Sequence, residues 1–200
     1  MRKIAIFASG TGSNAKKIIE HFKAHREIQV ALIVSNRADA PVLNHARAHQ
    51  IDFLVLDRKS FYETSSLLQQ LEQHAINFIV LAGFLWLIPP YLVTAYDKRM
   101  INIHPALLPK YGGKGMYGMH VHRAIKTAAE QETGITIHYV NEKYDDGAVV
   151  FQAKTSLSPT DGPETIAKKV QQLEHQHFAP VIEDLLMEKI EPKKWIPSNY

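Results

Sequence analysis

The chain has 200 residues, 46% of them hydrophobic, which suits a single domain with one substantial core. A formal net charge of +3 with scattered basic residues argues against a nucleic-acid-binding surface, and the absence of cysteine excludes disulfides, cysteine-ligated zinc and thiol catalysis. No apolar stretch reaches the roughly 18 residues that span a bilayer, and Met1 leads directly into a strand-like segment. We therefore expect a cytoplasmic protein without a signal peptide.

Apolar runs alternate with amphipathic segments through the first half of the chain. The runs predict five buried strands, at residues 3–8, 28–34, 52–56, 77–82 and 100–103. The segments between them predict helices, and Ile18, Ile19 and Phe22 recur with the helical period in the first one. Ser60 is placed to cap a single longer helix over residues 61–75, and a pair of prolines begins a short helix before the fifth strand.

The second half predicts a helix at residues 120–131 and then a hairpin. Strand-like residues 134–140 and 148–157 bracket the loop Asn141–Gly147, whose Asp-Gly pair favours a tight turn. A long helix is predicted at Pro163–Met187, bent at Pro180, with a surface tail after it. The pattern predicts the α/β class, with a Rossmann-like mixed, mostly parallel sheet, helices on both faces, and one domain over residues 1–200.

The loop after the first strand has three interpretations. Gly10, Gly12 and Ala15 match the fingerprint of dinucleotide-binding folds, and Arg37 after the second strand would then hold the 2′-phosphate of NADP. Alternatively, Gly12 and the two residues after it, Ser13 and Asn14, bind a terminal phosphate at the helix N-terminus. The third interpretation is structural, with Ser13 or Asn14 only capping the helix.

The end of the fifth strand carries Asn102 and His104, which share one face because side chains alternate along a strand. An amide beside an imidazole suits acyl transfer, since the amide stabilises an oxyanion and the imidazole moves a proton. A metal site with His120 and His122 is disfavoured because these two side chains diverge at the start of a helix. A purely structural role for His104 at the strand end stays open at this point.

The chain resembles the phosphoribosylglycinamide formyltransferase family. The segments that carry the resemblance are "SGTGSN", "VLAGFLWLI", "NIHPALLPKYGG", "HVHRAI", "GITIHYV" and "DDG", in the family's order and spacing. The resemblance covers nearly the whole chain, from Lys3 to about Leu186. It implies the formyltransferase fold and transfer of a formyl group from 10-formyltetrahydrofolate to the amine of glycinamide ribonucleotide in purine biosynthesis.

The resemblance also implies the catalytic residues, which are Asn102, His104 and Asp145. In this scheme Asn102 and a protonated His104 stabilise the oxyanion, while Asp145 keeps His104 protonated and relays a proton. From the residues alone, Asp145 and Asp146 are not distinguishable, since either could be a turn residue before Gly147.

The binding residues likewise follow from the resemblance. The ribonucleotide contacts are assigned to Gly12, Ser13, Asn14, Gln171 and Glu174. The folate contacts are assigned to Leu85, Trp86, Leu87, Ile88, Asn102, Asn141, Glu142, Lys143, Tyr144 and Asp145.

Two departures and two rival activities qualify this assignment. Ala106 stands where many relatives have serine, and Trp86 stands where an arginine is common beside the pterin. Some relatives also use a basic residue after the third strand, for which Arg58 and Lys59 are both candidates.

The rival activities are formyltetrahydrofolate hydrolysis and, from another class, an NADP-dependent oxidoreductase. We expect small-molecule substrates, no metal, no nucleic acid, and a monomer or homodimer.

Overall fold

The computed structural model describes residues 1–189, which form seven strands and seven helices; strands and helices alternate except that α3 precedes α4 and β6 precedes β7 directly. The strands are β1 (Arg2–Phe7), β2 (Ile28–Ser35), β3 (Asp52–Val55), β4 (Phe78–Leu81), β5 (Met100–His104), β6 (Glu132–Tyr139) and β7 (Val149–Ser156). The helices are α1 (Ser13–Phe22), α2 (Val42–Ala48), α3 (Arg58–Glu63), α4 (Ser66–Gln73), α5 (Pro90–Ala95), α6 (Met119–Thr127) and α7 (Pro163–Leu186).

The strands form one sheet in the order β3-β2-β1-β4-β5-β6-β7. The pairs β1–β2, β1–β4, β2–β3 and β4–β5 are parallel, whereas β6 and β7 pair antiparallel, with Ile135 opposite Ala153. The predicted mixed, mostly parallel α/β sheet is therefore confirmed, including its terminal hairpin.

Contacts divide the chain into two compact units, one from Met1 to Asn102 and one from Ile103 onward. In the first unit, β1 is central and its residues Ile4 to Phe7 are fully buried, as a strand between two parallel neighbours requires. The inward face of α1 is buried as predicted, through Ile18, Ile19 and Phe22. Each such side chain contributes about 1.5–3 kcal/mol by its removal from water.

The single helix predicted over residues 61–75 is wrong, because two short helices, α3 and α4, occupy this segment. The cap of α3 is Asp57, whose carboxylate accepts from the Ser60 N–H at 2.9 Å, so Ser60 lies inside the helix. Thr64 is extended and its hydroxyl bonds the Ser60 carbonyl at 2.8 Å. Such side-chain bonds to the backbone compete with helix continuation.

The second unit is built on the β6–β7 hairpin, against which the long helix α7 packs. Ile166, Val170, Phe178 and Ile182 of α7 are buried at four- or eight-residue spacing, which places them on one helix face. Pro180 lies inside this helix, as predicted. The predicted surface tail lies outside the described residues.

Within residues 1–189, no helix combines the length and apolar character needed to cross a membrane. The expectation of a single domain over residues 1–200 stays a prediction beside the two contact units.

Candidate active site

Asn102 and His104 lie two positions apart on β5, so the strand presents both on the same face. Asn102 is half-buried, and the His104 side chain is only 3% exposed. The neighbours Ile101 and Ile103 are buried in the apolar layers, which fixes the orientation of the strand. The two polar side chains therefore project together at the carboxyl end of a parallel strand, where open α/β sheets build their ligand sites.

The two ring nitrogens of His104 face different oxygens. Nε2 lies 2.7 Å from the backbone carbonyl oxygen of Tyr111, and Nδ1 lies 3.4 Å from Oδ2 of Asp145. Because a carbonyl oxygen only accepts, Nε2 carries a proton in either charge state of the ring. Nδ1 is therefore the nitrogen at which a proton can be gained or lost.

Asp145 lies at the centre of a small network in the second unit. Its Oδ2 accepts from the Gly113 N–H at 2.9 Å, and its Oδ1 lies 3.6 Å from Nε2 of His138. Its backbone adopts a left-handed conformation with φ 54°, which only a minority of non-glycine residues do. The carboxylate of Asp145 faces His104, as the resemblance to the family implies.

Asp146 has a different environment, on the exposed side of the same loop. Its carboxylate accepts from the Asn141 amide at 3.2 Å and lies 3.8 Å from Nζ of Lys143. The next residue, Gly147, tolerates no side chain, since a Cβ there would lie 1.7 Å from the Tyr139 carbonyl oxygen. The loop thus separates a buried carboxylate from a carboxylate that stabilises the turn.

Burial lowers the pKa of His104 below its ordinary value; the Asp145 carboxylate and the Tyr111 carbonyl raise it, but by less. This differs from the expectation of a protonated His104. Asp145 acts in the predicted direction, but the cost of desolvating the imidazolium is larger. His104 is consequently the neutral Nε2–H tautomer at neutral pH.

Burial alone would raise the pKa of Asp145, but hydrogen bonding with His138, the charge of His104 and the Gly113 N–H together lower it below its usual range. Asp145 is therefore a carboxylate at neutral pH. A fixed anion beside a neutral imidazole is arranged to stabilise the imidazolium once a proton arrives.

The sequence analysis missed three residues around this network. His138 contacts Asp145 through Nε2, and its other nitrogen, Nδ1, lies 2.8 Å from the Tyr139 carbonyl oxygen. Tyr111, whose backbone carbonyl contacts His104, is not indicated by any sequence pattern. Thr136 holds the loop after β5, accepting from the Leu108 N–H at 2.9 Å and donating to the Ala106 carbonyl at 2.7 Å. The buried polar positions of β6 were the only pattern that could have indicated Thr136 and His138.

In the first unit, the loop between β1 and α1 places Gly12 at the N-cap position with φ 73°, in the left-handed region. No side chain caps this helix end, so neither Ser13 nor Asn14 is its cap; both lie in the first turn. A Cβ at Gly12 would lie 2.5 Å from Cγ2 of Val42, so the loop also needs glycine for space. The first N–H groups of a helix lack intrahelical acceptors and favour an anion.

Arg37, the residue predicted to hold the 2′-phosphate of NADP, is paired with a carboxylate. Arg37 makes a two-point contact with Asp39, with Nε 3.1 Å from Oδ1 and an amino nitrogen 2.9 Å from Oδ2. A 2′-phosphate would therefore have to displace a carboxylate of the same sign.

The predicted ribose contacts Gln171 and Glu174 lie on α7, three residues apart and thus on one side of the helix. Gln171 is exposed and Glu174 is half-buried.

The predicted folate segment in the first unit is aromatic and partly exposed. Trp86 packs against Phe61 and Tyr62, with ring centroids 5.5 Å and 6.0 Å away, and Leu85 is 46% exposed. The Arg58 guanidinium lies over the Trp86 and Tyr62 rings at 5.4 Å and 5.5 Å from their centroids. Of the two basic candidates, Arg58 is therefore the one held beside this segment.

A metal site at His120 and His122 gains no support, because His120 is exposed while His122 is buried. Within residues 1–189, no group of three or more histidine, aspartate or glutamate side chains is arranged to hold a metal ion.

Comparison with known proteins shows the family to which the chain belongs. The Formyl transferase family model matches residues 2–182. The chain is 35% identical to phosphoribosylglycinamide formyltransferase of Bacillus subtilis (strain 168), over 93% of this chain and 95% of that protein. It is 39% identical to the chloroplastic phosphoribosylglycinamide formyltransferase of Arabidopsis thaliana, over 97% of this chain and 68% of that protein.

The fold agrees with these matches. The crystal structure of phosphoribosylglycinamide formyltransferase from Bacillus halodurans superposes with a TM-score of 0.84 at 36% identity, covering 94% of this chain and 97% of that one. The chain belongs to the formyl transferase family and, within it, to the phosphoribosylglycinamide formyltransferases.

Proposed function

We propose that the chain transfers the formyl group of 10-formyltetrahydrofolate to the amine of glycinamide ribonucleotide, in de novo purine biosynthesis. The observation that carries this proposal is the pairing of Asn102 and His104 on one face of β5, with the Asp145 carboxylate 3.4 Å from Nδ1 of His104. Membership of the family supports it.

The chemistry follows from these three side chains. The substrate amine attacks the formyl carbon, a C–N bond forms, and the carbonyl electron pair moves to the oxygen. The Asn102 amide can donate to that oxyanion. Nδ1 of His104 takes the proton from the attacking nitrogen, and Asp145 stabilises the imidazolium. The bond to N10 of the folate then breaks, and the same proton passes to N10.

The substrates are assigned to the residues predicted for them. The ribonucleotide phosphate binds at Gly12, Ser13 and Asn14, and its ribose contacts Gln171 and Glu174. The folate contacts are the segment Leu85–Ile88, Asn102 and the loop Asn141–Asp145. The protein acts on small molecules in the cytoplasm, without nucleic acid or metal, as a monomer or homodimer.

Formyl transfer from 10-formyltetrahydrofolate, measured with and without glycinamide ribonucleotide, tests the proposal. We expect folate turnover that depends on the ribonucleotide and persists in a metal chelator. Equal turnover without the ribonucleotide would instead establish the hydrolase.

The phosphate assignment predicts a selective effect of Ser13→Ala. Loss of one hydrogen bond to a charged group costs about 1.5–3 kcal/mol, so the KM for the ribonucleotide should rise at least about tenfold. The KM for the folate should stay unchanged in steady-state kinetics. Thr11→Ala, in the same loop but outside the assigned contacts, is the matched control. Equal increases in both KM values would refute the assignment.

We expect Arg58, whose guanidinium lies over the rings of Tyr62 and Trp86, to bind the acidic tail of the folate. Within residues 1–189 no acidic side chain forms an ion pair with Arg58, and two rings hold its guanidinium in place. Exposed ion pairs contribute about 0.2–1 kcal/mol, so Arg58→Gln should raise the folate KM by up to about fivefold. The ribonucleotide KM should not change, and Lys59→Gln should leave both constants within about twofold. A larger effect of Lys59→Gln would identify the other candidate.

A further inference from the structure

Tyr111 sets the orientation of His104 through its backbone. Its carbonyl oxygen is the acceptor of the His104 Nε2–H at 2.7 Å, and its own φ is 58°, in the left-handed region. A tyrosine adopts this conformation at a cost of order 1 kcal/mol or more, so other contacts must stabilise it.

The stabilising contact is a carboxylate from another element. The Tyr111 hydroxyl donates to Oε1 of Glu130 at 2.8 Å, and Nζ of Lys110 lies 2.9 Å from the same oxygen. Hydrogen bonding to Lys110, and then to Tyr111, lowers the pKa of Glu130, while burial and Glu130 raise the pKa of Tyr111 to about 12. The carboxylate is therefore charged and the hydroxyl protonated at neutral pH.

Glu130 lies just after the C-terminus of α6, where the backbone is well fixed. Ala129 is left-handed, with φ 51°, and its N–H bonds the Lys126 carbonyl at 3.1 Å. The Glu130 N–H returns to the Ile125 carbonyl at 3.4 Å. The hydrogen-bonded helix end thus presents the carboxylate to a loop residue nineteen positions earlier.

We propose that Glu130 is a positioning residue for the reaction: it holds Tyr111 so that the Tyr111 carbonyl fixes the ring angle and tautomer of His104. The inference rests on the proposed role of His104. Glu130 itself does not touch the reacting atoms. With Nε2–H bound to Tyr111, Nδ1 is directed to Asp145 and remains the nitrogen that exchanges the proton.

Two variants separate positioning from simple stabilisation. Tyr111→Phe keeps the ring and removes the hydroxyl, and Glu130→Ala removes the acceptor. Each should lower kcat about tenfold and change both KM values less than twofold, because the ground-state contacts of the substrates are untouched. Glu130→Gln retains an acceptor oxygen and should keep kcat within about threefold of the wild type.

Glu132→Ala is the matched control, since Glu132 also binds a lysine, Lys154 at 2.7 Å, but no tyrosine hydroxyl among residues 1–189 is bonded to it. It should leave kcat unchanged. A kcat loss in Glu132→Ala equal to that in Glu130→Ala would overturn the proposal.

The second readout is the titration of His104, followed by its imidazole C–H resonance in NMR and identified by its absence in His104→Ala. The titratable groups facing His104 are Asp145, His138 and His122. The Tyr111 carbonyl raises the pKa of His104, so weakening that bond in Tyr111→Phe should move the titration to lower pH.

This readout needs no activity, so it distinguishes failure of the positioning role from failure of the proposed reaction. An unchanged His104 titration in both Tyr111→Phe and Glu130→Ala would overturn the proposal, whatever their thermal stability.

Discussion

Replacing His104 by alanine is expected to lower kcat by about 10² to 10⁴, the range for loss of a general acid or base. In the proposed mechanism this side chain takes the proton from the attacking amine, and its Nδ1 lies 3.4 Å from Oδ2 of Asp145. Single-turnover kinetics with saturating substrates measure this step directly. Circular dichroism should show an unchanged fold, because the substitution removes only the imidazole ring of the last residue of β5.

The matched variant is Asn102→Ala, which removes the oxyanion donor from the same face of β5. Its kcat should fall on the order of 10² to 10³. The acid limb of the pH–rate profile should survive in Asn102→Ala and vanish in His104→Ala, since only the latter removes the titrating group. Near-normal turnover of both folded variants would place the chemistry elsewhere.

Asp145→Asn is expected to lower kcat by about 10- to 10³-fold, which corresponds to the one to three pKa units that a neighbouring carboxylate contributes to an imidazolium. The replacement is nearly isosteric, and asparagine tolerates the left-handed backbone at this position. The loss should therefore reflect charge rather than fold.

The sign of the pH effect follows from the pKa of His104. The Asp145 charge raises that pKa, so its removal lowers the pKa further. In the proposed mechanism the active free enzyme has neutral His104, and this form is lost as pH falls through the His104 pKa. The acid limb of kcat/KM should therefore move to lower pH in Asp145→Asn, with a reduced plateau.

Asp146→Asn is the control, because the Asp146 carboxylate contacts the turn residues Asn141 and Lys143 and, within residues 1–189, is not paired with a histidine. Its profile should match that of the wild type within about threefold. An alkaline limb that moves toward acid in Asp145→Asn would show that a protonated His104 is the active form. A crippled Asp146→Asn beside a healthy Asp145→Asn would exchange the roles of the two aspartates.

Most of the fold was predictable because it depends on local periodicity. Short continuous apolar runs such as Ile4–Phe7 favour buried strands between parallel neighbours, and Asp-Gly chemistry marks the hairpin. The break between α3 and α4 was not predictable in this way. It lies at Thr64, which is extended and whose hydroxyl bonds the Ser60 carbonyl in competition with the helix.

The candidate site was predictable only where its residues are close in sequence or carried by the family resemblance. Asn102 and His104 follow from strand alternation. The bonds from Tyr111 to Glu130 and from His138 to Asp145 join distant segments, and no periodic pattern reports them. The charge state of His104 depends mainly on its burial, and the sequence motif that pairs His104 with Asp145 does not report that burial.

Trp86 gives the protein an internal optical reporter at the segment assigned to the folate. Its indole has a guanidinium 5.4 Å from the ring centroid and two aromatic neighbours within 6.0 Å, so its emission is sensitive to any ligand that displaces or covers Arg58. The chain has only two tryptophans, and the other, Trp195, can be replaced by phenylalanine to leave a single emitter. Folate binding can then be followed by fluorescence quenching without a label, separately from turnover.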